Sequence, residues 1–328
     1  MTVMTMTDAI DAALAEEMRR DPSVLVFGEG VATKQRAMLA EFGPERVRNT
    51  PLAEGIIAGT AAGAAASGLR PVIDLLFAPF LTYAMDEIVN SAGKLRFLSG
   101  GQFAFPMVVR AHTGAGWGVG GQHNHNVEAW FAHAPGLKVV MPATAGDAHG
   151  LMLSAIRDEN PVLFFTDLAL VFAPGEVTGA AIPLGQAAVR RPGQHVSLIA
   201  YAKTVHSCLE AAAKLAEAGI EAEVIDLRTI KPLDEATVLS SVRKTGRAIV
   251  VHEAGRTCGV GAEVAAVIAE RAFGALRAPV LRLTGPDAPT AGNFALEAAF
   301  APQVDDIVEA ARGLLEGAAP ADRLAVTG

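Results

Sequence analysis

The sequence has 328 residues, of which 51% are hydrophobic and 19% are charged, and its formal net charge is −8. This length is enough for two domains of ordinary size, and an acidic chain without a basic run is a poor partner for nucleic acid. Because no window approaches the roughly eighteen apolar residues of a membrane span and residues 1–8 lack the regions of a signal peptide, we expect a cytoplasmic protein without a membrane partner.

Helical spacing of apolar residues and short apolar runs alternate along the first half of the chain. They predict helices over 7–20, 81–97 and 145–157, with a further helix that begins near Pro51. They also predict strands over 24–27, 72–76, 106–111, 137–141 and 162–165. Strands that alternate with helices are typical of a parallel sheet covered on both faces.

The alternation lapses over residues 173–194, which we interpret as a linker, and then resumes. Strands are predicted over 196–201, 222–225, 248–252 and 279–283, and helices over 205–218, 234–242, 261–273 and 304–315. The predicted fold class is therefore α/β, with two doubly wound parallel-sheet domains. Their predicted bounds are 1–183, with the linker from about 173, and 184–317, followed by a disordered tail over 318–328.

Two acids lie at places where open α/β sheets bind ligands. Glu54 follows Pro51 and precedes a segment of small residues over 56–68. It is either an acid in the first helical turn, stabilised by free amide groups, or an acid that protonates a cofactor nitrogen in a dry pocket. Glu29 follows the strand 24–27 and is either a turn acid or a site residue at the carboxyl edge of the sheet.

Glycine is dense over residues 114–121, which we call the glycine loop, and histidines follow it. The loop contains a match to the dinucleotide fingerprint, but no apolar helix opens after it and the next strand does not end in an acid, so a nicotinamide site is disfavoured. We predict a flexible loop that presents His123 or His125 to a ligand. With His112 and His133 nearby, a zinc site is an alternative, although no Cys or acid lies at ligand spacing. Structural histidines that bridge loop carbonyls are a third possibility.

Several co-linear segments together resemble the β subunit of the thiamine-diphosphate-dependent, decarboxylating component of 2-oxo acid dehydrogenases, a transketolase-like family. They include Asn-Thr-Pro-Leu-Ala-Glu-Gly at 49–55, Gly-Leu-Arg-Pro-Val at 68–72, Gln-His at 122–123, Pro-Gly-Leu-Lys-Val-Val at 135–140, Ala-Ile-Arg-Asp-Glu-Asn-Pro at 155–161 and Val-Val-His-Glu-Ala at 250–254. The resemblance extends to about residue 315. It implies a pyrimidine-binding domain followed by a transketolase C-terminal-like domain.

The resemblance also implies roles for individual residues. The acid at Glu54 would hydrogen-bond the aminopyrimidine ring of the cofactor and promote loss of the thiazolium proton. Phe80 would pack on the aminopyrimidine face, the backbone of Leu52 would contact the pyrimidine amino group, and Glu29 joins them as a predicted cofactor-binding residue. His123 would face the substrate and orient the oxo acid or the arriving lipoyl group.

A structural potassium ion is implied as well. The matching positions, which would offer mainly carbonyl oxygens, are Met107, Ala155, Ile156, Asp158 and Asn160. This site would stabilise the fold and take no part in catalysis.

The sequence lacks the Gly-Asp-Gly motif with which thiamine enzymes hold magnesium and the diphosphate. The resemblance therefore implies an α subunit that supplies this half of the site in an α₂β₂ heterotetramer, and docking to a lipoyl acyltransferase core. The expected substrate is a small 2-oxo acid, pyruvate or a branched-chain one, with acetoin cleavage as the alternative and a non-catalytic scaffold as a rival of another class. Asn124-His125 and the segment 166–172 depart from the family pattern and bear on the substrate.

Overall fold

The computed structural model describes residues 2–317, which form strands and helices in alternation. The strands within this range are β1 (Thr2–Thr5), β2 (Val24–Glu29), β3 (Val47–Thr50), β4 (Arg70–Phe77), β5 (Val108–Thr113), β6 (Lys138–Val140), β7 (Val162–Asp167), β8 (Pro174–Val177), β9 (Ala188–Arg191), β10 (Val196–Ala200), β11 (Ala222–Asp226), β12 (Thr229–Lys231), β13 (Ala248–Gly255) and β14 (Leu281–Gly285). The helices are α1 (Met6–Arg20), α2 (Val31–Lys34), α3 (Arg36–Phe42), α4 (Glu54–Ala66), α5 (Gly93–Leu98), α6 (Gly121–Asn124), α7 (Glu128–His133), α8 (Ala145–Arg157), α9 (Thr204–Glu217), α10 (Glu235–Thr245), α11 (Val260–Ala272), α12 (Phe294–Ala298) and α13 (Val304–Glu316). The predicted tail over 318–328 lies outside the described residues.

The first sheet has seven strands in the order β12-β6-β7-β5-β4-β2-β3. All neighbours in it are parallel except β12, which comes from the second half of the chain and pairs antiparallel with β6. The strands predicted in the first half are confirmed within a few residues. The edge strand β3 was not predicted, because its four residues carry Arg48 and Asn49 and give no apolar run.

The second sheet has five strands in the order β14-β13-β10-β11-β9, of which β9 is antiparallel to its neighbour. The predicted α/β fold class is thus confirmed, with antiparallel strands added at the sheet edges. The segment over 173–194, which we interpret from sequence as a linker, holds two short strands. Within it, β8 pairs with β1 and β9 joins the second sheet. Both are short edge strands containing Pro, Gly or Arg, whose alternation is too weak to be recognised from sequence.

The segment predicted as a helix over 81–97 is helical throughout, but only its last part is an α-helix. The chain forms a 3₁₀ turn over Ala78–Ala84, a π-helical stretch over Asp86–Ala92 and then α5. The buried side chains Leu81, Ile88 and Ala92 face the core throughout. Apolar spacing marks a helical face but does not distinguish hydrogen bonding to the third, fourth or fifth residue along the chain.

One hydrophobic cluster joins the two sheets, and α7 lies within it. Phe131 of α7 packs against Phe165 of the first sheet with ring centroids 6.0 Å apart, and the same cluster includes Tyr201 and Leu227 of the second. Two cysteines are too few for a disulfide framework and are most simply interpreted as buried free thiols, but only Cys208 is buried and Cys258 is exposed. No helix between residues 2 and 317 is long and apolar enough to cross a membrane.

Candidate active site

The residues predicted to bind the cofactor and the substrate lie at the carboxyl edge of the first sheet. Strands β2, β3, β4 and β5 run parallel, so their last residues meet at this edge. Glu29 at the end of β2 is in register with Thr50, which leads to Glu54, and Phe77 at the end of β4 is in register with His112. Ligands of open α/β sheets bind at such an edge.

Glu54 is the first residue of α4, as the position of Pro51 predicted. The side chain of Glu54 is half-buried, and its carboxylate has no hydrogen-bond partner among residues 2–317. The helix approaches the turn that carries Phe80 closely, because a Cβ atom added at Gly55 would lie 3.0 Å from the carbonyl oxygen of Tyr83. Leu52 is 68% exposed, so the chain just before the helix is open on one side. Glu54 is thus an acid whose hydrogen-bonding capacity the chain itself leaves unused.

An aromatic trio (Phe77, Phe80 and His123) lies at the same edge. The ring of His123 meets Phe77 and Phe80 edge-on, with centroids 5.0 and 5.3 Å apart, and the two phenylalanine rings are 5.8 Å apart. The Nδ1 atom of His123 is buried and has no hydrogen-bond partner in the described part of the chain. Two of the predicted residues, Phe80 and His123, are therefore brought together. Phe77 was not predicted, although it ends a strand three residues before Phe80.

The glycine loop is held by carboxylates of the second half of the chain. The backbone N–H of Ala115 donates to Glu253 Oε1 at 2.7 Å. The N–H groups of Gly116 and Gly118 donate to Glu297 Oε2 at 3.0 and 2.8 Å. Sequence reasoning missed both glutamates. Glu253 had a usable signal, because it directly follows a predicted strand whose end belongs to the ligand-binding edge of the second sheet.

Beside this loop, the buried carboxyls of Glu253 and Asp167 lie near the partly buried ammonium group of Lys203. Lys203 Nζ lies 2.8 Å from Glu253 Oε2 and donates to the carbonyl oxygen of Ala115 at 3.0 Å. Burial raises the pKa of Glu253, and the nearby Asp167 raises it further. Burial also raises the pKa of Asp167, against the opposing charge of Lys203. Burial lowers the pKa of Lys203, but the two carboxyls outweigh it and leave that pKa raised. The cluster therefore holds its lysine charged and favours a proton on one of its acids.

A buried hydrogen bond joins helix α7 to the residue that follows β10. Tyr201 donates to Glu128 Oε1 at 2.7 Å, and burial raises the pKa of each group.

The other predicted loop histidine, His125, has a pKa lowered by burial, and its ring lies 6.1 Å from that of Trp130. No three His, Cys, Asp or Glu side chains between residues 2 and 317 are grouped so as to hold a metal ion. The zinc alternative for the loop histidines thus gains no support.

The residues predicted for potassium lie at the opposite, amino-terminal edge of the first sheet. Met107 precedes β5, and residues 155–160 precede β7. Arg70 Nη1 donates to the carbonyl oxygens of Ile156 and Asp158 at 3.0 and 3.2 Å, so these two oxygens converge on one cationic atom. The two oxygens of the Asp158 carboxylate are engaged, because one pairs with Lys138 and the other accepts from the Asn160 backbone N–H at 2.9 Å. The potassium ligands at these positions would therefore be mainly carbonyl oxygens.

The oxygen atoms at the other three predicted potassium positions already accept hydrogen bonds within the chain. Met107 accepts from Val162 at 2.9 Å, and Ala155 accepts from Asp158 at 3.3 Å. The Asn160 side-chain oxygen accepts from Arg96 at 2.9 Å. A carbonyl oxygen has a second lone pair, so these bonds do not prevent cation binding.

Comparison with known proteins agrees with this geometry. The pyrimidine-binding domain of transketolase matches residues 2–171, and the transketolase C-terminal domain matches residues 185–307. A mitochondrial pyruvate dehydrogenase E1 component subunit beta-2 of Oryza sativa subsp. japonica is 44% identical, over 97% of this chain and 88% of its own. The chain belongs to the family of thiamine-diphosphate-dependent dehydrogenase β subunits. Another member of this family, the β subunit of an acetoin:2,6-dichlorophenolindophenol oxidoreductase of Cupriavidus necator, is 42% identical over 94% of this chain and 96% of its own.

Two solved structures share the fold of this chain. A split-gene transketolase, described as an inactive β4 tetramer, matches with a TM-score of 0.80 and 26% identity over 95% of this chain and 98% of its own. A transketolase mutant from Pichia stipitis matches with a TM-score of 0.70 at 16% identity over 97% of this chain and 46% of its own, which supports the fold alone. The resemblance stated from sequence is confirmed, and with it an enzyme subunit of the oxidoreductase class.

Proposed function

We propose that this β subunit takes part in the oxidative decarboxylation of a small 2-oxo acid, pyruvate or a branched-chain one, with transfer of the acyl group to a lipoyl group. The observation that carries the proposal is the combination of Glu54, with its unused carboxylate, and the aromatic trio at one sheet edge. A pyruvate dehydrogenase E1 β subunit of Rickettsia felis, 43% identical over 94% of this chain, agrees with it.

The residues present fit one half of thiamine diphosphate. When bound, this cofactor supplies an electron sink for decarboxylation. Glu54 would hydrogen-bond the aminopyrimidine ring, the Phe80 ring would cover one of its faces, and the Leu52 backbone and Glu29 would complete the contacts of this chain. The Leu52 side chain is exposed and the Phe80 ring partly so, which leaves room for a ligand and for a second chain.

The sequence contains no Gly-Asp-Gly motif for the diphosphate half of the cofactor. The nearest approach to a magnesium-binding motif in the sequence is Gly146-Asp147, but Asp147 is 3% exposed and its carboxylate pairs with Arg190 and Arg228. We therefore assign the diphosphate and magnesium to an α subunit, in an α₂β₂ heterotetramer that docks to a lipoyl acyltransferase core. The description of the split-gene transketolase as an inactive β4 tetramer supports the need for a second kind of chain.

His123 is the residue proposed to face the substrate. Its Nδ1 atom is buried without a partner among the described residues, and two aromatic rings restrict its ring. A buried polar atom without a partner is costly, so a ligand that hydrogen-bonds Nδ1 would recover that cost on binding. We propose that His123 orients the oxo acid or the arriving lipoyl group.

For the amino-terminal edge we propose a structural potassium ion. The converging carbonyl oxygens of Ile156 and Asp158 support it, because they already approach one cationic nitrogen. Met107, Ala155 and Asn160 would supply the remaining oxygens.

Acetoin cleavage is the second candidate. The acetoin-oxidising relative of Cupriavidus necator is almost as similar as the pyruvate dehydrogenase subunits, at 42% against 44% identity. The departures at Asn124-His125 and 166–172 lie next to or within the elements around the glycine loop, where they can change the substrate pocket. A non-catalytic scaffold is disfavoured, because it has no need to keep Glu54, Phe80 and His123 at one edge.

The test is to purify the chain with its α partner and to measure thiamine-diphosphate-dependent turnover of pyruvate, a branched-chain 2-oxo acid and acetoin. We expect turnover of one of them, and its loss in Glu54→Gln, which keeps the volume but removes the ionisable acid. Glu45→Gln is the matched control, since that carboxylate is 88% exposed and pairs only with Arg48 at the surface. Equal turnover by Glu54→Gln and wild type would contradict the assignment.

A further inference from the structure

Glu297 is a buried glutamate that receives its hydrogen bonds from the other half of the chain. It lies in α12 and is 3% exposed. Its Oε2 atom accepts from the N–H groups of Gly116 and Gly118, and its Oε1 atom accepts from the side-chain amide of Asn124. These donors lie 173–181 residues away in sequence. A carboxylate with several charge-assisted hydrogen bonds is a strong and directional anchor.

The glycine loop is also bonded at Ala115 by Glu253 and Lys203, but the bonds from Glu297 are the ones that hold Gly116 and Gly118. Gly118 has a φ of +68°, a conformation that favours glycine, and a Cβ atom added there would lie 3.2 Å from the ring of Phe294 in α12. A glycine-rich loop loses much conformational entropy when it is fixed in one conformation. The hydrogen bonds to Glu297 offset that cost and select one conformation of the loop.

The same carboxylate fixes the helix that carries His123. Asn124, the next residue, is fully buried, and its backbone carbonyl accepts from Gly114 at 3.0 Å while its side chain bonds Glu297. Asn124 is therefore bonded both to Gly114, at the start of the glycine loop, and to Glu297, which holds the middle of the loop. A rotation of α6 would break these bonds and withdraw His123 from the aromatic trio.

We infer that Glu297 is a positioning residue of the reaction: from the C-terminal domain it fixes the glycine loop and, through Asn124, the orientation of His123. This inference rests on the proposed function. It also gives a physical role to Asn124, one of the departures from the family pattern, as the side chain through which the anchor reaches the histidine.

A double-mutant cycle in the assembled holoenzyme tests the inference. If Glu297 acts through His123, then Glu297→Ala should lower kcat by about 10- to 100-fold when His123 is present, because a displacement of about 1 Å in a reacting group is costly. In the His123→Ala background the same substitution should change kcat by no more than about twofold. The dissociation constant of thiamine diphosphate should stay nearly constant throughout.

Matched variants separate positioning from folding. Glu263→Ala, an exposed glutamate of α11, should leave kcat unchanged. Glu297→Gln keeps an acceptor for the backbone amides and should restore most of the activity that Glu297→Ala loses. Should Glu297→Ala fail to assemble, Asn124→Ala in the same cycle decides the question, since it removes the anchor nearest to His123.

Two negative results are distinguishable. Wild-type holoenzyme that turns over none of the tested substrates would overturn the proposed function and this inference with it. Wild-type turnover combined with equal losses from Glu297→Ala in both backgrounds, or with no loss at all, would overturn this inference alone.

Discussion

Tyr201→Phe should destabilise the chain by about 2 kcal/mol. The tyrosine hydroxyl donates to Glu128 Oε1 at 2.7 Å, both side chains are buried, and Glu128 Oε2 has no partner within the described residues. Without the hydroxyl, Glu128 Oε1 loses its tyrosine donor inside a buried carboxyl group. A buried polar group left in this way costs about 1–3 kcal/mol.

The free energy of unfolding, measured by urea denaturation, gives the test. Tyr83→Phe is the matched control: it is the other tyrosine of the sequence, and its side chain is 74% exposed, so its effect should stay within about 0.5 kcal/mol. Glu128→Leu combined with Tyr201→Phe should cost less than the sum of the single changes, because no unpaired polar group remains. A Tyr201→Phe effect as small as that of the control would refute the assignment of this bond as an energetic link between α7 and the end of β10.

Three further outcomes are expected. His123→Ala should lower turnover of the holoenzyme far more than it weakens cofactor binding, and His125→Ala should have the smaller effect on turnover; a steep rise in the cofactor dissociation constant with unchanged kcat would contradict this. Burial raises the pKa of Glu253 to about 7, and the nearby Asp167 contributes to the rise. The stability that the protonated form of Glu253 contributes is therefore fully present below pH 4.5 and is lost as the pH rises through about 7. The unfolding free energy of wild type relative to Glu253→Gln should fall over this window, and a flat difference would exclude the shift. Potassium chloride should raise the midpoint of thermal unfolding above its value in choline chloride of equal ionic strength, whereas equal midpoints would argue against the potassium site.

Local signals in the sequence were sufficient to predict the α/β fold class and most of its strands and helices. Short apolar runs predicted the strands from β2 to β14 that form the two sheets, apart from short edge strands such as β3, β9 and β12. Pro51 located the start of α4 and so placed Glu54 in its first turn. The rule that ligands bind at the carboxyl edge indicated Glu29, and the glycine loop indicated His123, whereas Phe80 was implied only by the family resemblance.

Contacts between distant segments lay beyond such signals. Glu253, Glu297 and Lys203 are ordinary charged residues in sequence, and nothing local indicates that they close on a loop more than eighty residues away. The pairing of β12 with the first sheet is equally non-local. Burial decides the chemistry of these groups, and burial follows from the packing of the two halves rather than from any pattern within one segment.

The central claim is that this chain holds only the aminopyrimidine half of the cofactor site. Calorimetric titration of the purified chain with thiamine diphosphate and magnesium, alone and together with the α partner, tests it most directly. Two phosphate charges without a partner are costly in a cleft, so we expect no measurable binding by the chain alone and tight stoichiometric binding once the partner is present. Tight stoichiometric binding by the chain alone would contradict a site shared between two subunits.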